Sequence, residues 1–210
     1  MLWGLTGCSG TGVSTVAAVW NGMGAQVCSL DAVGHRLLDK PSVKRTLENE
    51  LRISGLSEMS REDIRERLRE KAFVSRDVLA GVNRVMHPRL SRWVADSAEK
   101  LRRSNGIFVL DAALIFELGL ENYFSYLVTV TDELERVMSR LTTRDGVSAE
   151  TITGRWNNQI SLKKKSMRSH FVIRNADTEE VLKKNAENFY RGVIQRMEEP
   201  SGTQNQAEVN

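Results

Sequence analysis

Short runs of adjacent apolar residues alternate along the chain with longer stretches in which apolar residues recur every third or fourth position. The runs fall at Leu2–Thr6, Ala25–Ser29, Gly106–Leu110, Tyr126–Thr131 and His170–Ile173. Each has the length of a strand, and their continuity predicts burial on both faces. Helical spacing fills the intervals. Ile64, Leu68, Ala72 and Phe73 lead into Val78, Leu79, Val82, Val85 and Met86, while Val181, Leu182, Ala186, Phe189, Val193 and Ile194 mark one face of a helix from about Thr178 to Met197. Strands alternating with helices predict an α/β fold, a mostly parallel sheet with helices on both faces.

The intervals are uneven. From Asp31 to Asn105 the pattern is almost purely helical, far more chain than one parallel crossover needs. It predicts a helical substrate-binding insertion over one edge of the sheet. A second excursion, Thr142 to Ser169, begins with a helix exit and turn at Thr142-Thr143-Arg144-Asp145-Gly146 and reopens a helix at Ser148, a capping serine. Its polar, cationic composition suits a lid over a ligand. The expected division is therefore a core of 1–31, 105–141 and 170–197, an insertion of 32–104, a lid of 142–169, and a polar tail of 198–210 too poor in apolar residues to order.

Composition adds limits. The 210 residues, 40% hydrophobic and 27% charged with net charge +3, are ordinary for a globular protein. No apolar stretch is long enough to span a bilayer, and Met1-Leu2-Trp3-Gly4 carries no basic leader, so a cytoplasmic protein with no membrane partner is expected. Cys8 and Cys28 are too few for a disulfide framework or a zinc site. Most cations alternate with acids on helical faces; Lys163-Lys164-Lys165 with Arg168 does not, and suits nucleotide phosphates. No aromatic interleaving or reader motif accompanies that run, so no nucleic acid is expected as a partner. Monomer and weak oligomer are equally open.

The candidate chemistry starts at the first strand. Gly7-Cys8-Ser9-Gly10-Thr11-Gly12-Val13-Ser14-Thr15 follows the phosphate-loop pattern G-x-x-x-x-G-K-[ST], with Val13 in the lysine slot. Gly7, Gly10 and Gly12 permit backbone angles that turn amides inward, and the helix from Ser14 aims its positive end at the same point. The loop can cradle a triphosphate such as that of ATP, and Ser14 can offer a hydroxyl to Mg2+. Cys8 lies near that helix N-terminus, which can lower a thiol pKa; a small residue tolerated by the loop is the plainer reading.

Phosphoryl transfer also needs a base, a metal-organising acid and positive charge. Asp31 follows the second strand, where α/β sheets collect ligands, and reads equally as a catalytic base or a helix cap. Asp111 ends the third strand, as a residue organising Mg2+ water would. Arg140 and Arg144, one helical turn apart at the lid's root, read as cations for the transferring group. His87 reads as a helix-end histidine before Pro88.

Taken in order, the loop, Asp31, Met86-His87-Pro88, Leu110-Asp111-Ala112-Ala113-Leu114-Ile115-Phe116-Glu117, Arg140-x-x-x-Arg144-Asp145 and Val172-Ile173-x-Asn175 resemble dephospho-coenzyme A kinase over nearly the whole chain up to about Met197. The resemblance implies a P-loop nucleoside triphosphate hydrolase-like core, with ATP phosphorylating the ribose 3′-hydroxyl of dephospho-CoA in coenzyme A synthesis. It implies Asp31 as base, His87 and Leu114–Glu117 in the acceptor site, Arg140 and Arg144 as lid and phosphate arginines, and Asn175 near adenine. Two positions depart from the family pattern: Ala113 stands in place of proline, and Val13 in place of lysine. With Val13, either Lys163, Lys164 or Lys165 supplies the charge, or catalysis is slow, or the chain is an ATP- or CoA-binding protein of kinase ancestry. Another small-molecule kinase of the same fold is a further alternative.

Overall fold

The computed structural model describes residues 1–101 and 104–198, without the side chains of 72–74, 144–145, 197 and 198. The expectations for Ala72, Phe73, the Arg144 side chain and the tail beyond residue 198 fall outside the described residues.

All five apolar runs are strands: β1 (Leu2–Gly7), β2 (Gln26–Ser29), β3 (Phe108–Asp111), β4 (Tyr126–Thr131) and β5 (Phe171–Arg174). They pair only in parallel, in the order β2-β3-β1-β4-β5. β1 is central, so its side chains are covered on both faces. Trp3 and Leu5 point to one face, against α1 (Val13–Gly22) and α9 (Glu179–Glu198). Trp3 meets Trp20 edge-on at 5.6 Å, and the Trp20 indole donates to Ala186 O at 2.9 Å, which ties α1 to α9 on that face. Gly4 points to the other face. A side chain there would collide with Leu127, Phe124 and Ile115, so the glycine serves close packing.

That second face is covered by the chain between β2 and β3: α2 (Leu30–Leu37), α3 (Pro41–Leu51), α4 (Arg61–Val74) and α5 (Arg76–Leu101). Leu30, Val33, Leu47, Ile64, Val85 and Val94 form one continuous core with Leu110 and Leu127 of the sheet. α5 runs straight through Pro88, so His87 is mid-helix, which overturns its reading as a helix-end residue. Pro88 cannot donate to the preceding turn. The neighbouring Arg89 guanidinium donates to Val85 O at 2.6 Å, in the same turn.

After β4 come α6 (Leu134–Asp145), α7 (Ala149–Asn157) and α8 (Leu162–Arg168). α6 ends on Gly146 at φ +63°, and Ser148 accepts from Thr151 N at the start of α7, as the turn and cap residues predict. Val137, Leu141 and Ile152 make a small core of their own. Among the described residues no helix is long and apolar enough to cross a membrane.

Candidate active site

β1 ends at Gly7 and α1 begins at Val13, so the glycine-rich loop sits at the carboxyl end of the central strand. Gly10 and Gly12 hold φ of +85° and +101°, the left-handed region that disfavours other residues. Gly7 does not. A Cβ there would lie 2.5 Å from Thr11 Oγ1 and 2.8 Å from Val130 O, so its constraint is space, not backbone angle. Gly12 caps α1 without a side-chain bond, leaving the first amides of the helix for an anion.

The loop is held from outside. Thr11 donates to Cys8 O through its amide and its hydroxyl, at 3.2 and 2.9 Å. Side chains from three helices and from the residue after β5 take further carbonyls. Lys165 Nζ of α8 reaches Gly7 O at 3.4 Å, and Trp156 Nε1 of α7 donates to Ser9 O at 2.9 Å. Arg140 of α6 donates to Gly10 O at 2.7 Å, and Asn175, just after β5, donates to Thr11 O at 3.0 Å. With the carbonyls turned outward and satisfied, the loop amides face a cavity of about 580 Å3.

Two carboxylates share that cavity. Asp111 closes β3 opposite Ser29 of β2, and Asp31 lies in the first turn of α2. The cap of α2 is Ser29, whose hydroxyl accepts from Ala32 N at 3.3 Å, so Asp31 does not cap the helix and its carboxylate faces the cavity. Burial pushes the Asp111 carboxyl up to about 6, and the nearby negative charge of Asp31 adds to the rise. Burial also raises the Cys8 thiol, with Lys165 opposing, so the helix N-terminus does not lower it.

The cations are arranged differently from expectation. Lys163 and Lys164 are exposed, while Lys165 is fully buried, bonded to Ala113 O and Gly7 O and paired with Glu117 at 3.5 Å. Arg140 lines the cavity but is engaged by Asp132 at 2.7 Å as well as by Gly10 O. Arg155 of α7, which the sequence pattern did not single out, also lines the cavity. A lone arginine on a polar helix reads as solvated until the helix is docked. Trp156, which holds Ser9 O, and Gln159, a further wall of the cavity, were not singled out either, because only the docking of this segment brings them to the loop.

A family model described as dephospho-CoA kinase matches residues 1–180. The chain belongs to the dephospho-CoA kinase family. A dephospho-CoA kinase of Corynebacterium diphtheriae is 31% identical over 198 residues, covering 93% of this chain and 98% of the relative. A crystal structure of a Thermus thermophilus protein superposes with a TM-score of 0.71 at 27% identity, over 94% and 97% of the two chains. A dephospho-CoA kinase from Campylobacter jejuni shares the fold, with a TM-score of 0.69 at 21% identity over 93% and 98%. The reaction is ATP-dependent phosphorylation of dephospho-CoA in coenzyme A biosynthesis. ATP and dephospho-CoA are the substrates that membership of this family implies.

The remaining residues suggested by resemblance are spread unevenly over the dephospho-CoA kinase fold. Asn175 is buried against Thr11 O, holding the loop. Glu117 turns inward, accepting from Ile160 N at 2.8 Å and facing Lys165. Leu114 is half-buried in the turn after β3, and its carbonyl accepts from Leu118 N. His87 Nε2 and Glu117 Oε2 are buried without a protein partner. Burial lowers the His87 pKa, with the Glu117 charge opposing.

Proposed function

We propose that the loop cavity holds the ATP phosphates and that an adjoining cavity holds dephospho-CoA, with Asp31 between them as the base. The observation that carries this reading is that Asp31 is a wall of both cavities. The second cavity, of about 650 Å3, lies between α2, α4, α5 and α7. Leu68, Val82 and Met86 make it apolar, as an extended thioalkyl arm would require, while Arg65 and Arg69 suit phosphates. On this reading residues 32–104 form the acceptor-binding subdomain and 142–169 the lid.

Asp31 would take the proton of the ribose 3′-hydroxyl as its oxygen attacks the γ-phosphorus. The bond to the bridging oxygen then breaks, and its electron pair leaves with ADP. Asp111 and the Ser14 hydroxyl suit Mg2+ better than any all-protein cage, since no group of three or more metal-ligating acids, histidines or cysteines exists among the described residues. Phosphate oxygens and water would complete such a site. The ion would neutralise charge on the phosphates when bound. Arg140 and Asn175 would act by fixing the loop, and His87 and Glu117, which line neither cavity, by supporting the elements behind them.

Transfer of γ-labelled phosphate from ATP to dephospho-CoA by the purified chain tests the reading. Asp31→Asn is expected to slow transfer by about 10²- to 10⁴-fold while leaving nucleotide affinity nearly unchanged. A wild-type chain that transfers no label, or an Asp31→Asn variant of equal rate, would end it.

A further inference from the structure

The site described so far lacks one component. Val13 brings no charge to the transferring phosphoryl group: it lines the loop cavity as an aliphatic residue, with its Cγ2 packed beside Gly7. Lys165 does not fill the gap. Its ammonium is fully buried beneath the loop, hydrogen-bonded to carbonyls and paired with Glu117. Arg140 is tied to Asp132 and to Gly10 O.

Arg155 is placed otherwise. Its side chain forms no hydrogen bond or ion pair among the described residues, and it is exposed on the inner side of α7. It is a wall of the loop cavity and also of the acceptor cavity, and among the described residues the only other one common to both is Asp31. The two cavities therefore meet between a carboxylate on one side and an uncommitted guanidinium on the other. The next residue, Trp156, anchors α7 to the loop through Ser9 O at 2.9 Å, so the helix that carries Arg155 is fixed to the phosphate-binding backbone.

We infer that Arg155 supplies the positive charge at the transferring phosphoryl group that Val13 leaves missing. This rests on the assignment of the two cavities to ATP and dephospho-CoA. During transfer, negative charge spreads over the equatorial oxygens of the γ-phosphoryl and builds on the oxygen bridging to the β-phosphate. A planar guanidinium at the junction can donate to both, and its charge lies on the cavity side of the loop where that of Lys165 does not. Asp31 receives the acceptor proton, and Arg155 keeps its own throughout.

The test compares kcat, nucleotide affinity and melting temperature for the wild type, Arg155→Gln, Val13→Lys/Arg155→Gln and a charge control on α9, Lys184→Gln. Arg155→Gln is expected to lower kcat by about a hundred- to a thousandfold, with the dissociation constant for ATP moving far less. Adding Val13→Lys should restore at least about tenfold, because a lysine returns charge to the same group from the loop side. Lys184→Gln should leave kcat alone. A merely structural role would lower the melting temperature and would not answer to a lysine at position 13. The inference is overturned by a kcat within about threefold of wild type, well short of a lost charge donor, or by a defect that Val13→Lys does not relieve. Arg155→Met carries the same comparison if the glutamine variant does not fold. Wild-type protein that transfers no phosphate would instead overturn the cavity assignment, and this inference with it.

Discussion

Asp111 is where the requirements of folding and of chemistry oppose each other most directly. Its carboxyl is pushed up to about 6 by burial and by Asp31. The folded chain therefore holds this proton more tightly than the unfolded chain, whose Asp titrates near 3.8. The resulting stabilisation is present at acid pH and is lost as pH rises through about 6. Asp111→Asn should accordingly raise the melting temperature above pH 6 and flatten this part of the pH dependence. In the proposed metal role the same substitution lowers activity, and a bound cation favours the ionised carboxyl, so wild-type activity in Mg2+ should persist below the pH at which the metal-free carboxyl takes up its proton. Thermal scans across pH 4.5 to 8 without added metal, against activity with Mg2+, check both halves; an unchanged melting temperature at pH 8 would contradict the account. At this scale Val13, Asp31 and Asp111 were all legible, because each follows a recognisable strand. The reason for Gly7 was not. Its constraint comes from Val130 O of a neighbouring strand, and no local pattern records that approach.

At the scale of elements, α8 does more than its composition announces. Lys163-Lys164-Lys165 reads as a cationic surface, yet the helix turns its third lysine into the protein. That lysine joins the end of β1, the turn after β3 and Glu117. Removing one partner of a buried pair leaves the other uncompensated, so Lys165→Met should cost about 3–5 kcal/mol. Lys165→Met/Glu117→Gln should recover part of that loss. Denaturant unfolding of the single and double variants measures the coupling, and strictly additive losses would show that the pair does not act as a unit. The strands were the most readable elements, since parallel strands covered on both faces are continuous apolar runs. Helix ends were less so. Ser29 and Asp31 are both plausible caps by type, and only the bond from Ala32 N decides between them.

At the scale of the whole molecule, the two faces of the sheet serve different parts of the site. The α1 and α9 face contains Trp3, Trp20 and Leu182 and backs the phosphate loop. The face under α2 to α5 contains Leu47, Ile64 and Val85 and backs the cavity proposed for the acceptor. Leu47 is fully buried in α3, away from the loop. Leu47→Ala should cost about 2–5 kcal/mol and raise KM for dephospho-CoA before KM for ATP, because the cavity left behind loosens the acceptor wall first. Steady-state kinetics well below the melting temperature would show this, and an equal rise in both constants would contradict it.

Much of this protein follows from order along the chain alone. Apolar periodicity specified five strands and the helical intervals, and glycines placed after the first strand specified the loop proposed to hold phosphate, because both depend on neighbours in sequence. Tertiary structure decided which cation faces which cavity. Lys165 and Arg155 are both basic residues on short polar helices, and nothing local distinguishes them. One is buried beneath the loop and the other stands where two cavities meet, since side-chain environment is set by what distant segments pack alongside. The substitution at Val13 acquires its meaning only in that arrangement.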